Sequence, residues 1–161
     1  MSIIETRSIS YEYRGGIAAL QNVSIQMPDN GCIALLGSNG AGKSTLMKHF
    51  NGILFPKSGE IWIDGERVSR ENLRTVRQKV GIVYQDPDDQ IFAPTVREDV
   101  AFGPTNMGFS ESEIEERVSE TLRLLEITRL ADRPPHQLSG GEKKRVAIAG
   151  ILAMNPKILI L

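Results

Sequence analysis

The apolar residues of this chain fall in short blocks whose period changes along its length. In the first third, β-rich runs alternate with turns: Ile3 to Tyr13, Val23 to Met27, Cys32 to Leu36, and Glu60 to Asp64 after the turn Phe55-Pro56-Lys57-Ser58-Gly59. A polar stretch from Ser69 to Lys79 predicts a helix that leads into a strand over Val80 to Tyr84. The period then lengthens. Ser110 with Glu113 three positions on makes a capping box, and Ile114, Val118, Leu122 and Leu125 recur on one face, which predicts an amphipathic helix. A second helix from about Gly141 to Met154 is apolar on most of its circumference after Arg145 and should be largely buried. Asn155-Pro156 stops it, and Lys157 to Leu161 begins another buried strand. Strands alternating with helices predict an α/β fold with a mostly parallel sheet and a helical insertion between about Pro87 and Gln137.

Candidate chemistry enters between the third apolar run and the helix expected over Ser44 to Asn51. Gly37-Ser38-Asn39-Gly40-Ala41-Gly42-Lys43-Ser44-Thr45 fits the phosphate-loop template G-x-x-x-x-G-K-[ST]. Placed at a strand-to-helix junction, such a loop aims backbone N–H groups and a helix dipole at phosphate. Gly37, Gly40 and Gly42 let the backbone wrap the phosphates without Cβ clashes. Lys43 is expected to reach the β and γ phosphates, and the Ser44 hydroxyl to complete a Mg²⁺ site with phosphate oxygens and water. ATP and Mg²⁺ are the ligands this loop implies.

A second motif, Leu138-Ser139-Gly140-Gly141-Glu142-Lys143-Lys144-Arg145, opens the helix before Met154 with a hydroxyl and closely approachable N–H groups, a second anion-facing helix end. A phosphate loop followed about a hundred residues later by LSGGE resembles the ATP-binding subunit of an ABC transporter, over the whole chain. That resemblance implies a P-loop nucleotide-binding domain: an ATP-binding core over 1–86, a helical subdomain over 87–137, and the LSGGE helix with the start of the Walker B strand over 138–161. It also implies a head-to-tail homodimer or heterodimer, in which Ser139, Gly140 and Gly141 of one subunit close over the γ-phosphate held by the other.

Other positions follow from the same resemblance. Gln85 stands where the family places the glutamine that touches Mg²⁺ and the attacking water and faces the membrane subunit. Tyr13, ahead of the phosphate loop, resembles the aromatic that stacks on adenine, with Tyr11 as its rival. The segments Tyr84 to Phe92 and Thr95 to Pro104, with the run Lys143 to Met154, look like the cobalt/nickel and energy-coupling-factor type. This implies uptake of a metal ion or vitamin by a complex with an integral membrane subunit, at the cytoplasmic face of the membrane. The acidic, Pro-rich segment after Gln85 would line the groove that receives the membrane partner's coupling helix. In the family, the strand matching Ile158 to Leu161 leads into an Asp for Mg²⁺ and a Glu that polarises water, and the next strand lies between it and the phosphate-loop strand. The sequence given stops before those residues, so it resembles a fragment, and hydrolysis is not expected of residues 1–161 alone. Two other readings stand beside the importer: a soluble ABC-type ATPase acting on DNA or ribosomes, and a truncated, non-catalytic gene product.

Composition narrows the choice. A net charge of -1 supplies no overall field for nucleic acid or an anionic membrane, and the region from Pro87 to Gln137 has neither a long coiled coil nor a basic stripe, so no nucleic-acid partner is expected. The start lacks the basic and apolar segments of a signal peptide, and the longest apolar run, Val146 to Met154, is too short for a bilayer. Cys32, the only cysteine, is expected as a buried structural thiol in the apolar strand before the loop. His49 and His136 lack metal-ligand spacing and are read as structural, and Lys143, Lys144 and Arg145 as a solvated helix face.

Overall fold

The computed structural model describes residues 2–161, and their contacts divide the chain after Arg77 into two compact units. In the first unit, β1 (Ser2–Tyr13) and β2 (Ile17–Pro28) form a long antiparallel hairpin. Its turn contains Gly15 and Gly16 at φ 97° and 83°, a conformation that costs glycine nothing. β3 (Ser58–Ile63) and the short β4 (Glu66–Arg67) extend the sheet in the order β2-β1-β3-β4, all antiparallel. Ile4, Ile9, Ile61 and Ile63 are buried on this sheet, as are Leu46 and Phe50 of the helix α1 (Lys43–Phe50). Thr6 is buried among them because its hydroxyl is satisfied twice, donating to the Val23 carbonyl and accepting from the Ile25 N–H, each at 3.1 Å. The helix α2 (Leu73–Lys79), shorter than the expected Ser69 to Lys79, buries Val76 and leads out of the unit.

In the second unit, β5 (Val80–Ile82) pairs in parallel with β6 (Ile158–Ile160). The helices α3 (Val96–Met107), α4 (Glu111–Leu124) and α5 (Gly140–Leu152) enclose a core of Val96, Val100, Val118, Leu122, Val146 and Ala149, joined by Ile127 and Leu130. The α4 capping box forms as expected, with both arms between Ser110 and Glu113, and the stripe from Ile114 to Leu125 faces this core. A capping box at Thr95 and Glu98, legible as T-x-x-E but missed, starts α3. Two glycines set the approach of elements here: a Cβ at Gly81 would strike Ile151, and one at Gly103 would lie 2.5 Å from Met154 Cγ.

Two expectations need correction. The sheet is not mostly parallel, because the two-glycine turn after Tyr13 folds the chain back on itself and, among the described residues, only β5 and β6 run parallel. Cys32 to Leu36 forms no strand: Ile33 and Leu36 are 49% and 87% exposed, and the Cys32 thiol is exposed rather than buried. A parallel strand is stable only when neighbours take its N–H and C=O groups and both faces are covered, and among the described residues no strand pairs with this segment.

His49 is fully buried in α1, donating from Nδ1 to the Thr45 carbonyl at 2.7 Å, with its ring edge-on to Tyr11 at 4.8 Å between centroids. Burial holds its pKa below the ordinary histidine value, although the carbonyls of Thr45 and Phe55 pull the other way. A base whose folded pKa is lowered binds fewer protons folded than unfolded, so its contribution is fully present above about pH 6.5 and is lost as pH falls below it. The urea midpoint is expected to drop between pH 7.5 and 5, and to drop less in His49→Phe, which keeps the ring contact without the titration. Equal slopes in the two proteins would rule this out.

Candidate nucleotide site and the capped glycine helix

In the first unit, the loop from Gly37 to Gly42 runs into α1 through the N-cap Gly42, whose φ is 89° and which offers no side chain to cap the helix. A Cβ there would lie 2.5 Å from the Ala19 carbonyl, so the packing of the loop against β2 requires glycine. Gly40 also has positive φ, 81°, but open space around it. Ser38, Asn39, Gly40, Ala41 and Ser44 are exposed. A turn from the Ala41 N–H to the Ser38 carbonyl closes the loop. Lys43 spans its mouth, and Nζ donates to the carbonyls of Gly37 and Ser38, each at 2.8 Å. The result is an uncapped helix N-terminus, a cation held by backbone dipoles, and an accessible hydroxyl at Ser44, a set that fits a polyphosphate and its metal.

The two tyrosines are placed differently. Tyr11 packs on buried His49, whereas Tyr13 is 39% exposed, with its hydroxyl 3.0 Å from Thr45 Oγ1 and its ring edge-on to Tyr11. Thr45 itself is buried in the first turn of α1. Tyr13 is thus the ring of the pair on the surface, fastened to the helix that follows the phosphate loop.

In the second unit, Ser139 is the N-cap of α5 and forms a full capping box with Glu142. The Ser139 N–H and Oγ–H both donate to Glu142 Oε2 at 2.9 Å, and the Glu142 N–H donates back to Ser139 Oγ at 3.3 Å. Arg129 Nη2 donates to the other carboxylate oxygen at 2.6 Å. The backbone N–H of Ser139, then Arg129, then the Ser139 hydroxyl hold the Glu142 carboxyl down at about 2. Gly140 and Gly141 fill the first helical turn with ordinary φ, and a Cβ on either would meet nothing within 4 Å.

Gln85 is exposed on the loop after β5. That loop is strapped to the middle of α5: Gln90 accepts from the Tyr84 N–H at 2.9 Å and donates to the Ala147 carbonyl at 2.7 Å. A second strut joins Lys143 Nζ to Asp88 Oδ1 at 2.6 Å. Asp99, buried in α3, accepts from the Phe92 and Ala93 N–H groups, both at 3.0 Å, and fixes the next stretch. Asp88, Ile91, Phe92, Pro94, Pro135 and His136 border an open groove of about 530 Å³. Phe92 stands edge-on to Phe102 at 4.7 Å, and both rings are largely exposed. Of the expected solvated cations on α5, Lys143 is thus paired, Arg145 lies 3.7 Å from Glu126, and Lys144 is exposed. Sequence reasoning missed Gln90 and Arg129, whose partners lie far along the chain. Among the described residues, no group of three or more His, Cys, Asp or Glu is arranged for a metal, and no helix is long and apolar enough to cross a membrane.

Residues 20–161 match the ABC transporter family. The chain is 58% identical over 161 residues to the energy-coupling factor transporter ATP-binding protein EcfA1 of Methanospirillum hungatei, and 57% identical to EcfA of Methanoculleus marisnigri. It is covered completely in both alignments but spans only 58% of either relative's length. Among solved structures it resembles cbiO1 of Clostridium perfringens, described as part of the ABC transporter complex cbiONQ, with TM-score 0.86 and 45% identity over 98% of this chain and 64% of that one. It also resembles the ATP-binding cassette MJ0796, a dimer in a post-hydrolysis state bound to ADP and Pi, with TM-score 0.86 and 32% identity over 97% of this chain and 72% of that one. These likenesses bear out the α/β class and the P-loop domain expected from the two motifs. The chain therefore belongs to the ABC transporter family, among ATP-binding proteins of the energy-coupling-factor type.

Proposed function

We propose that this chain is the nucleotide-binding part of an ATPase subunit that powers an importer. It would pair head to tail with a second copy, or a similar ATP-binding subunit, and sit on the cytoplasmic face of the membrane against an integral membrane subunit. Uptake of a metal ion such as cobalt or nickel, or of a vitamin, is the transport reaction that goes with this reading.

The observation that carries it is the pair Gly140 and Gly141. Glycine in a helical turn costs about 0.5–1 kcal/mol relative to alanine, because more backbone entropy is lost. Here neither φ nor a neighbouring atom of this chain demands it. Their value lies in what approaches from outside, and the N–H groups of a helix start suit a phosphate. The dimer described for MJ0796, holding ADP and Pi, supports the same reading.

The division of labour follows from residue chemistry. The N–H groups of the Gly37 to Thr45 loop would cradle the phosphates, and Lys43 would exchange the Gly37 and Ser38 carbonyls for phosphate oxygens. Ser44 and Gln85 would each offer a neutral oxygen donor of the kind Mg²⁺ accepts. When bound, Mg²⁺ supplies charge neutralisation across the phosphate oxygens. Tyr13 would offer its exposed face to adenine, a contact worth about 1 kcal/mol. Ser139, Gly140 and Gly141 would close on the γ-phosphate held by the partner subunit. The exposed Phe92–Phe102 pair beside the groove suits an apolar helix of the membrane subunit, and the Gln90 strap would pass its displacement to α5.

The test is Gly141→Ala in the protein at its relatives' length. Thermal denaturation should show the folded state more stable by about 0.5–1 kcal/mol, with MgATP affinity unchanged and ATP-driven dimerisation weakened at least tenfold. Unaltered dimerisation would remove the reason for these glycines and overturn the reading.

A further inference from the structure

The cap of α5 contains a group that an anion-receiving helix end should avoid. Glu142 is ionised at physiological pH, held there by the hydrogen bonds of its cap, and it sits in the same first turn as the exposed Gly140 and Gly141, whose N–H groups lie beyond the reach of intrahelical acceptors. An incoming phosphate therefore meets a fixed negative charge beside the amides that would bind it. The cap cannot dispense with an acceptor at this position, since Ser139 donates from both N and Oγ to Glu142 Oε2. What offsets the charge is Arg129, whose Nη2 lies 2.6 Å from the remaining oxygen. Arg129 is not held by α5. It comes from the 3-10 turn Thr128–Leu130, which is anchored in the core by Ile127 and Leu130, both essentially without exposure. The guanidinium also fixes the plane of the carboxylate, and with it the direction in which the Ser139 hydroxyl points.

We propose that Arg129 is a positioning residue for phosphate recognition: by neutralising and orienting Glu142, it allows the Ser139-Gly140-Gly141 end of α5 to accept the terminal phosphate of a nucleoside triphosphate held by a second copy of the chain. The proposal rests on the head-to-tail reading above. It assigns to Arg129 a charge role separable from helix capping, because a glutamine at position 142 keeps an acceptor for the cap and carries no charge.

The experiment compares the full-length protein with Arg129→Ala, Glu142→Gln and the double variant, following dimer formation by light scattering against a non-hydrolysable ATP analogue. One exposed ion pair corresponds to about threefold in an equilibrium constant, and a dimer contains two such sites, so Arg129→Ala should lower the overall dimerisation constant about tenfold, read as about threefold more analogue for half-maximal dimerisation. Analogue affinity of the dilute monomer, read by calorimetry, should not change. Glu142→Gln should dimerise at least as readily as the parent, and adding Arg129→Ala to it should have no further effect. The Arg129→Ala defect should also shrink as salt is raised from about 0.05 to 0.5 M. A defect of the same size in the Glu142→Gln background, or Arg129→Ala behaving as the parent, would overturn the charge role alone. A parent protein that stays monomeric with the analogue would overturn the pairing of copies and this inference with it.

Discussion

Lys43→Ala is expected to weaken MgATP binding by well over tenfold while leaving the fold intact. The ammonium is already poised at the mouth of the phosphate loop, 2.8 Å from two backbone carbonyls, and polyphosphate oxygens compete with those carbonyls for it. A charge-assisted hydrogen bond contributes about 1.5–3 kcal/mol, and 1.4 kcal/mol is one decade of affinity. The two carbonyls left behind lie in an exposed loop where water can satisfy them. Calorimetry on a variant with an unchanged melting curve decides the matter, and equal affinity in the two proteins would remove Lys43 from the nucleotide site.

Ser139→Arg is expected to abolish ATP-driven dimerisation while leaving ATP binding by the separate subunit nearly unchanged. The substitution has two effects that a control can part. It removes the N-cap oxygen that the Glu142 N–H uses, at a cost of about 1 kcal/mol, and it places a long side chain over the open first turn at Gly140 and Gly141. Ser139→Ala has only the first effect, so it should weaken dimerisation without eliminating it. Light scattering that still reports an ATP-dependent dimer of the arginine variant would sink the assignment of this helix end to the interface.

How much of this was legible in the sequence depended on the distance over which each interaction acts. Both capping boxes that matter most, at Ser110 and Ser139, close within four residues, and the α4 stripe follows from helix period alone. The phosphate loop was recognisable for the same reason, since its geometry is carried by glycines next to one another in the chain. The apolar run Cys32 to Leu36 was misleading because hydrophobicity reports a wish to be buried, while strand formation needs partners supplied elsewhere. The hairpin of β1 and β2 is signalled by Arg14-Gly15-Gly16, a turn between two β-rich runs whose glycines take positive φ.

By itself, then, the sequence determined local features: the helices α4 and α5, the cap at Ser110, and the two segments that match phosphate-binding motifs. Only the tertiary structure decided what surrounds those segments. It placed Tyr13 rather than Tyr11 on the surface, closed Gln90 onto Ala147 across the second unit, and set Arg129 against Glu142. The physical reason is that caps and turns are settled by φ, ψ and hydrogen bonds between near neighbours, which residue identity fixes directly. A strap or a compensating charge depends instead on which distant backbone the packed core brings within 3 Å, and many side chains share in setting that distance.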